Sequence, residues 1–126
     1  MTVAADVLVV DDEESLRTSV ADILRSAGYS VMEAEDGQAA LDLLETREVA
    51  VVILDQKMPR RTGTEVVNSL DSPPPPVIIL LSAHRIENGD RAQMDKKVFS
   101  FLTKPVAPLR LLDEVAAAYG EQERHG

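Results

Sequence analysis

Five side chains could do chemistry together in this sequence, and each lies at or just past the end of an apolar run. Asp11 and Asp12 follow Val7-Leu8-Val9-Val10. Asp55 follows Val51-Val52-Ile53-Leu54, Ser82 follows Val77-Ile78-Ile79-Leu80-Leu81, and Lys104 comes shortly after Val98-Phe99-Ser100-Phe101-Leu102. Singly each has an ordinary explanation. Asp12 would N-cap a helix, Asp55 and Ser82 would open turns, and Lys104 would be a solvated cation. At one edge of a sheet they mean more, because neighbouring carboxylates cannot all stay ionised without a cation or a shared proton. Three hard oxygen ligands with no His or Cys among them suit Mg²⁺, with water completing its octahedron. A hydroxyl and an ammonium beside them are donors for phosphoryl oxygens. That is a site for phosphate held against a divalent cation.

The elements that would bring these residues together are legible in the hydrophobic pattern. The four runs do not alternate polar with apolar, so they are predicted to be strands buried on both faces, as in a parallel sheet covered by helices. A weaker run, Tyr29-Ser30-Val31-Met32, alternates and is expected at an edge. Between the runs the period turns helical. Leu16, Val20, Ile23, Leu24 and Ala27 share one stripe, with Gly28 at the left-handed C-terminal position. Asp36 is the expected N-cap of a second helix through Ala40, Leu41 and Leu44, and a third runs from about Thr64 to Leu70. Leu109, Leu112, Val115, Ala116 and Tyr119 define a last helix, with Pro108 in its first turn and Gly120 ending its regular part. The polar stretch Arg85 to Lys97, with Asn88-Gly89-Asp90, supports only a weak short helix. Pro73 to Pro76 form a polyproline II segment, read as a stiff connector rather than a peptide ligand. The sum is (βα)5, an α/β fold with right-handed crossovers and a doubly wound sheet. In such sheets ligands bind beyond the carboxyl ends of the strands, where the five residues stand.

Composition bounds the function. The chain has 126 residues, and 13 Lys+Arg against 22 Asp+Glu give a net charge of −9, which repels nucleic-acid phosphates and anionic membranes. Basic residues gather only at Lys57, Arg60 and Arg61 and at Lys96 and Lys97. With no cysteine, disulfides, thiolate nucleophiles and thiolate metal sites are excluded. No signal peptide or membrane-length apolar run is present, and a cytoplasmic location is expected. No phosphate-binding glycine motif supports nucleotide or flavin binding.

The motifs Val9-Val10-Asp11-Asp12-Glu13, Leu54-Asp55 with Met58-Pro59 and Gly63, Ser82-Ala83, and Phe101-Leu102-Thr103-Lys104-Pro105 carry a resemblance to receiver domains of bacterial two-component response regulators. The resemblance spans Val7 to Tyr119 and implies a CheY-like (flavodoxin-like) three-layer sandwich with strand order 2-1-3-4-5. It implies that Asp55 accepts a phosphoryl group from a phosphohistidine of a sensor kinase or phosphotransfer protein, or from a small acyl phosphate. Mg²⁺ or Mn²⁺ would be bound by Asp12, Asp55 and the backbone carbonyl of Lys57, with Asp11 holding a metal-bound water. Lys104 and Ser82 would each contact a phosphoryl oxygen. Ser82 and Phe101 would act as the switch, though Phe101 fits plain core packing equally well. Lys57 and His84 would tune acyl-phosphate lifetime, and the Lys104–Pro105 peptide would be cis. A face formed by the fourth of five helices, the fifth strand and the last helix would bind a downstream protein or a second copy. Such a protein assists its own phosphorylation and slow dephosphorylation without being an enzyme.

Departures and alternatives remain beside this reading. Gln56 stands where relatives usually carry an apolar residue, which bears on local packing but not on the chemistry, and the 85–97 stretch lacks their Ala-rich helix. The chain ends seven residues after Tyr119, in a polar tail over 120–126, so a stand-alone regulator or relay intermediate is expected, with a fragment of a longer regulator as the alternative. A Mg²⁺-dependent aspartyl-nucleophile phosphohydrolase is disfavoured because Lys57 stands where a second acid belongs. A phosphate-independent pseudo-receiver is disfavoured because the acidic pair, the acceptor and the lysine are all present.

Overall fold

The computed structural model describes residues 5–58, 61–70, 76–83 and 97–125, the side chains of 122–125 excepted. Five strands, β1 (Ala5–Val10), β2 (Val31–Ala34), β3 (Val49–Asp55), β4 (Val77–Ser82) and β5 (Val98–Thr103), form one sheet in the order β2-β1-β3-β4-β5, with every pairing parallel. The helices are α1 (Glu14–Ser26), α2 (Gly37–Thr46), α3 (Gly63–Asn68) and α4 (Pro108–His125). The predicted strand order is therefore the observed one.

Side chains leave a strand on alternate faces, and the core divides accordingly. Val7, Val9, Val51, Ile53, Ile79 and Leu81 pack with Leu24 of α1 and with Leu111, Val115 and Ala118 of α4. Leu8, Val10, Val52, Leu54, Ile78 and Leu80 pack with Ala40 of α2 and with Val66 and Val67 of α3. Three layers result, and β3, buried along its whole length, runs through the middle. That burial is the reason its sequence is a continuous apolar run ending in Asp55.

Helix termini follow the local chemistry. Gly28, with φ +99°, closes α1 in a Schellman arrangement: its N–H donates to the Arg25 carbonyl at 3.0 Å and the Tyr29 N–H to the Leu24 carbonyl at 3.1 Å. Asp36 caps α2 through Oδ1, which accepts from the Ala39 N–H at 2.8 Å. Thr62 and Glu65 form a reciprocal capping box on α3, the Thr-x-x-Glu signature of a helix start.

Several expectations need correction. Tyr29 is spent closing α1, so β2 starts at Val31 rather than Tyr29. The fifth strand is not buried on both faces: β5 is an edge strand, only Val98 and Leu102 are buried, and a register shift between Ile78 and Ile79 of β4 leaves Phe99 41% exposed. The buried stripe of α1 centres on Ala21 and Leu24, leaving Leu16 exposed, and that of α4 on Leu111, Val115 and Ala118, leaving Leu109 77% exposed. Gly120 does not end the last helix, which continues to His125. A glycine weakens a helix by about 1 kcal/mol relative to alanine but supplies no steric reason to stop, and the residues after it are good helix formers. His84, Arg60, Lys96, most of the proline run and Asn88-Gly89-Asp90 lie outside the described residues.

Candidate functional site

All five sequence-predicted residues stand at the carboxyl edge of the sheet, and the backbone ladder carries past the strand ends to hold them. Asp11 follows β1, and its N–H donates to the Ala34 carbonyl at 3.2 Å. Asp55 is the last residue of β3, and the next N–H, that of Gln56, donates to the Leu81 carbonyl at 3.0 Å. Ser82 ends β4, and its carbonyl accepts from the Lys104 N–H at 2.8 Å. Asp11, Asp55, Ser82 and Lys104 thus depart from backbone fixed by the sheet, and Asp12 follows directly on Asp11.

Carboxylate oxygens of Asp11, Asp12 and Asp55 all lie within 4.8 Å of one another, Asp11 and Asp55 buried and Asp12 exposed. Asp12 does not cap α1: the N-cap position is Glu13, which makes no side-chain cap, so the ordinary explanation of Asp12 fails. Asp11 is pinned on three sides. Its Oδ1 accepts from the Glu13 N–H at 2.9 Å, its Oδ2 from Lys104 Nζ at 2.9 Å, and its carbonyl from Arg17 Nη1 at 2.9 Å. Arg17, which no spacing in the sequence marks, is itself oriented by Glu33, 3.3 Å from Nε.

The Lys104 ammonium also lies 3.2 Å from Asp55 Oδ1. Burial raises the pKa of Asp55 above the usual carboxylate value; Lys104 opposes this, while the Asp11 and Asp12 charges add to it. Burial alone would lower Lys104, but its hydrogen bond to Asp11 and the charges of Asp55 and Asp11 outweigh that and hold it above the ordinary lysine value. The Lys104–Pro105 peptide is cis. Ser82 is buried at the same edge. Phe101 is half-buried and packs against the core on the α2–α3 face, and Lys57 has an exposed side chain.

The donor set fits a hard divalent cation: carboxylate oxygens only, more negative charge than one lysine balances, and two of three ligands dry. No other cluster of three or more metal-ligating side chains occurs among the described residues.

The residues around Gln56 are the second feature that sequence reasoning missed. Gln56 does not disturb the packing as its polarity suggested. Its Nε2 donates to Thr64 Oγ1 at 2.8 Å and its Oε1 accepts from the Thr64 N–H at 3.0 Å. A Cβ on Gly63 would meet Gln56 Oε1 at 2.6 Å and the Asp55 carbonyl at 2.9 Å, so only glycine lets α3 start this close to the site.

Residues 7–116 match the family described as response regulator receiver domain. Among similar proteins, the response regulator RR06 of Streptococcus pneumoniae serotype 2 is 32% identical over 112 residues, covering 89% of this chain and 52% of the relative. The transcriptional regulatory protein PdtaR of Mycobacterium tuberculosis is 33% identical over 114 residues, covering 89% and 55%. The chain thus spans about half the length of these relatives. The crystal structure of a CheY-like receiver domain protein from Methanospirillum hungatei superposes with a TM-score of 0.89 at 25% identity, over 96% of this chain and 98% of that one. A receiver domain from Clostridium thermocellum gives 0.85 at 26%, over 95% and 98%.

Proposed function

The chain belongs to the response regulator receiver domain family of two-component signalling, and from that premise we propose that Asp55 is its phosphoacceptor. The observation that carries this reading is the Lys104 ammonium, 3.2 Å from Asp55 and 2.9 Å from Asp11 in a cluster of three carboxylates. Charge at this edge is already arranged around a cation.

The Asp55 carboxylate attacks the phosphorus of a phosphohistidine on a sensor kinase or phosphotransfer protein, or of a small acyl phosphate. An O–P bond to Asp55 forms as the P–N or P–O bond to the donor breaks, and the electron pair leaves on the donor atom. Asp12, Asp55 and the Lys57 carbonyl would hold Mg²⁺ or Mn²⁺ directly, and Asp11 through water. When bound, the ion neutralises charge on nucleophile and phosphoryl group. Lys104 moves its hydrogen bonding from Asp55 to a phosphoryl oxygen, and Ser82 donates to another. The protein's contribution is positioning and charge compensation, which makes it an assisted acceptor that hydrolyses its own acyl phosphate slowly, not an enzyme acting on other substrates.

Ser82 and Phe101 lie on neighbouring strands, β4 and β5. A phosphoryl group that draws Ser82 toward Asp55 biases the position of Phe101, and the face of β5 and α4 reports the change to a downstream protein or a second copy. Lys57 and His84 set how readily water reaches the acyl phosphate. The net charge of −9 argues for protein partners over nucleic acid or membrane. Among the described residues no helix is long and apolar enough to cross a membrane, and we place the protein in the cytoplasm.

Beryllofluoride, which mimics a phosphoryl group on a carboxylate, tests this reading. Mg²⁺ with beryllofluoride should raise the melting temperature of the wild type beyond Mg²⁺ alone, and should not do so for Asp55→Asn. Equal stabilisation of both proteins, or none of either, would overturn it.

A further inference from the structure

Gln56 occupies the single position between Asp55 and Lys57, and it is held through backbone and side chain together. Its N–H extends the β3–β4 ladder to the Leu81 carbonyl at 3.0 Å, and its carbonyl accepts from the Gly63 N–H at 2.9 Å. Its side-chain amide closes a two-bond clasp on Thr64, a buried residue in the first turn of α3. On the other side of Lys57, Met58 is buried in the core beside Val66 and Val67 of α3. The peptide groups of Lys57 are therefore bracketed by a polar anchor and an apolar one, while its own side chain is exposed.

The clasp is not required to start α3. That helix carries its own capping box from Thr62 and Glu65 and buries Val66 and Val67 completely. What the amide adds is fixity of the backbone between the acceptor and the helix. A hydrogen-bonded pair that is half-buried on one side and buried on the other holds a single geometry better than an apolar contact does, because its two bonds are directional.

We propose that Gln56, through its clasp on Thr64, is a positioning residue for the cation site: it fixes the Lys57 carbonyl as an oxygen ligand before the ion arrives. This rests on the reading of Asp55 and its neighbours given above. Changing a partner that orients a metal ligand commonly costs about ten- to a hundredfold in affinity. Here the ligand is a backbone carbonyl, which has no rotamer, so its orientation is set only by what anchors the adjoining peptides.

Isothermal titration calorimetry of the full chain with Mg²⁺ at neutral pH tests the proposal, using Gln56→Met, Thr64→Val, the double variant and Thr64→Ser. Gln56→Met loses both clasp bonds and should weaken Mg²⁺ binding by about tenfold, at the low end for such orienting partners. Thr64→Val should weaken it by a smaller factor. The double variant should bind no more weakly than Gln56→Met, because the two residues act through one contact. Thr64→Ser keeps the hydroxyl and should bind like the wild type, which a general loss of packing would not produce. Circular dichroism confirms folding, and if Gln56→Met does not fold, Thr64→Val against Thr64→Ser decides the question alone. Wild-type affinity in Gln56→Met, additive losses in the double variant, or equal losses in Thr64→Ser and Thr64→Val would each overturn the proposal. If the wild type itself binds no Mg²⁺, or binds it independently of Asp55, the functional reading fails first.

Discussion

Lys104 reaches Asp55 across an intervening strand: the lysine follows β5, the aspartate ends β3, β4 lies between them, and the ammonium still stands 3.2 Å from Oδ1. It reaches further to Asp11 beyond β1, at 2.9 Å. The span is possible because the ladder bond from the Lys104 N–H to the Ser82 carbonyl fixes where the long side chain begins. One cation is thereby shared by carboxylates from two strands that never pair with its own, and the energetics of the site follow from that sharing.

Removing the Asp55 charge should stabilise the metal-free protein. Burial, with Asp11 and Asp12 adding their charges, holds the Asp55 carboxyl above its unfolded value despite Lys104. The folded state then binds that proton more tightly, so Asp55 makes stability decline as pH rises from the ordinary carboxylate range through the raised value, with the full cost present above it. In urea melts with EDTA at neutral pH, Asp55→Asn should be more stable by about 1 kcal/mol, with the difference shrinking as pH falls. Equal or lower stability at neutral pH would contradict the crowding.

Removing the cation should do the reverse. Lys104→Met leaves Asp11 and Asp55 buried without their shared ammonium, and breaking a buried pair of this kind costs roughly 3 kcal/mol. The loss should be greatest at neutral pH and smaller in acid, where a protonated Asp55 no longer needs the lysine. Melts of the variant across that pH range would show it, and saturating Mg²⁺ should recover part of the loss.

Mg²⁺ should stabilise the wild type by mass action, about 2.7 kcal/mol at one hundred times its dissociation constant, and EDTA should reverse it. Because the ion needs Asp55 ionised and burial raises its pKa, affinity should increase with pH through that raised range. Calorimetry in buffers of different ionisation enthalpy would detect the protons released.

Two glycines should respond oppositely to alanine. Gly63→Ala forces a Cβ to 2.6 Å from Gln56 Oε1 and 2.9 Å from the Asp55 carbonyl, and should destabilise by about 1–3 kcal/mol. Gly120→Ala meets nothing within 4 Å inside a continuing helix and should stabilise by up to about 1 kcal/mol. Thermal melts of the two variants suffice.

What the sequence makes legible here is what rests on period and on position after a strand. Continuous apolar runs located β1, β3 and β4, and the residues that end them located Asp11, Asp55 and Ser82, because the apolar run of a doubly covered strand stops where the sheet gives way to its carboxyl edge. The family motifs supplied the strand order. Edges and stripes were harder to see. Val98 to Leu102 looks like a central strand because it has two phenylalanines, yet β5 has a neighbour on one side only, and its register shift leaves Phe99 outside. On α4, Leu109 is as apolar as Leu111, and only the crossing of helix over sheet decides which is buried. Gln56 raised only a question of local packing because its partner Thr64 is eight residues away on another element, and such side-chain pairs leave no period to detect. Arg17 was passed over for the same reason, since its partners belong to different strands, Asp11 just after β1 and Glu33 within β2.

If Asp55 takes up a phosphoryl group in a reaction that needs the cation site, the intact mass of the protein after incubation with acetyl phosphate will record it. The wild type should gain one phosphoryl group with Mg²⁺ and none without it, and Asp55→Asn should gain none under either condition. A gain of the same mass in Asp55→Asn, or one indifferent to Mg²⁺, would contradict it.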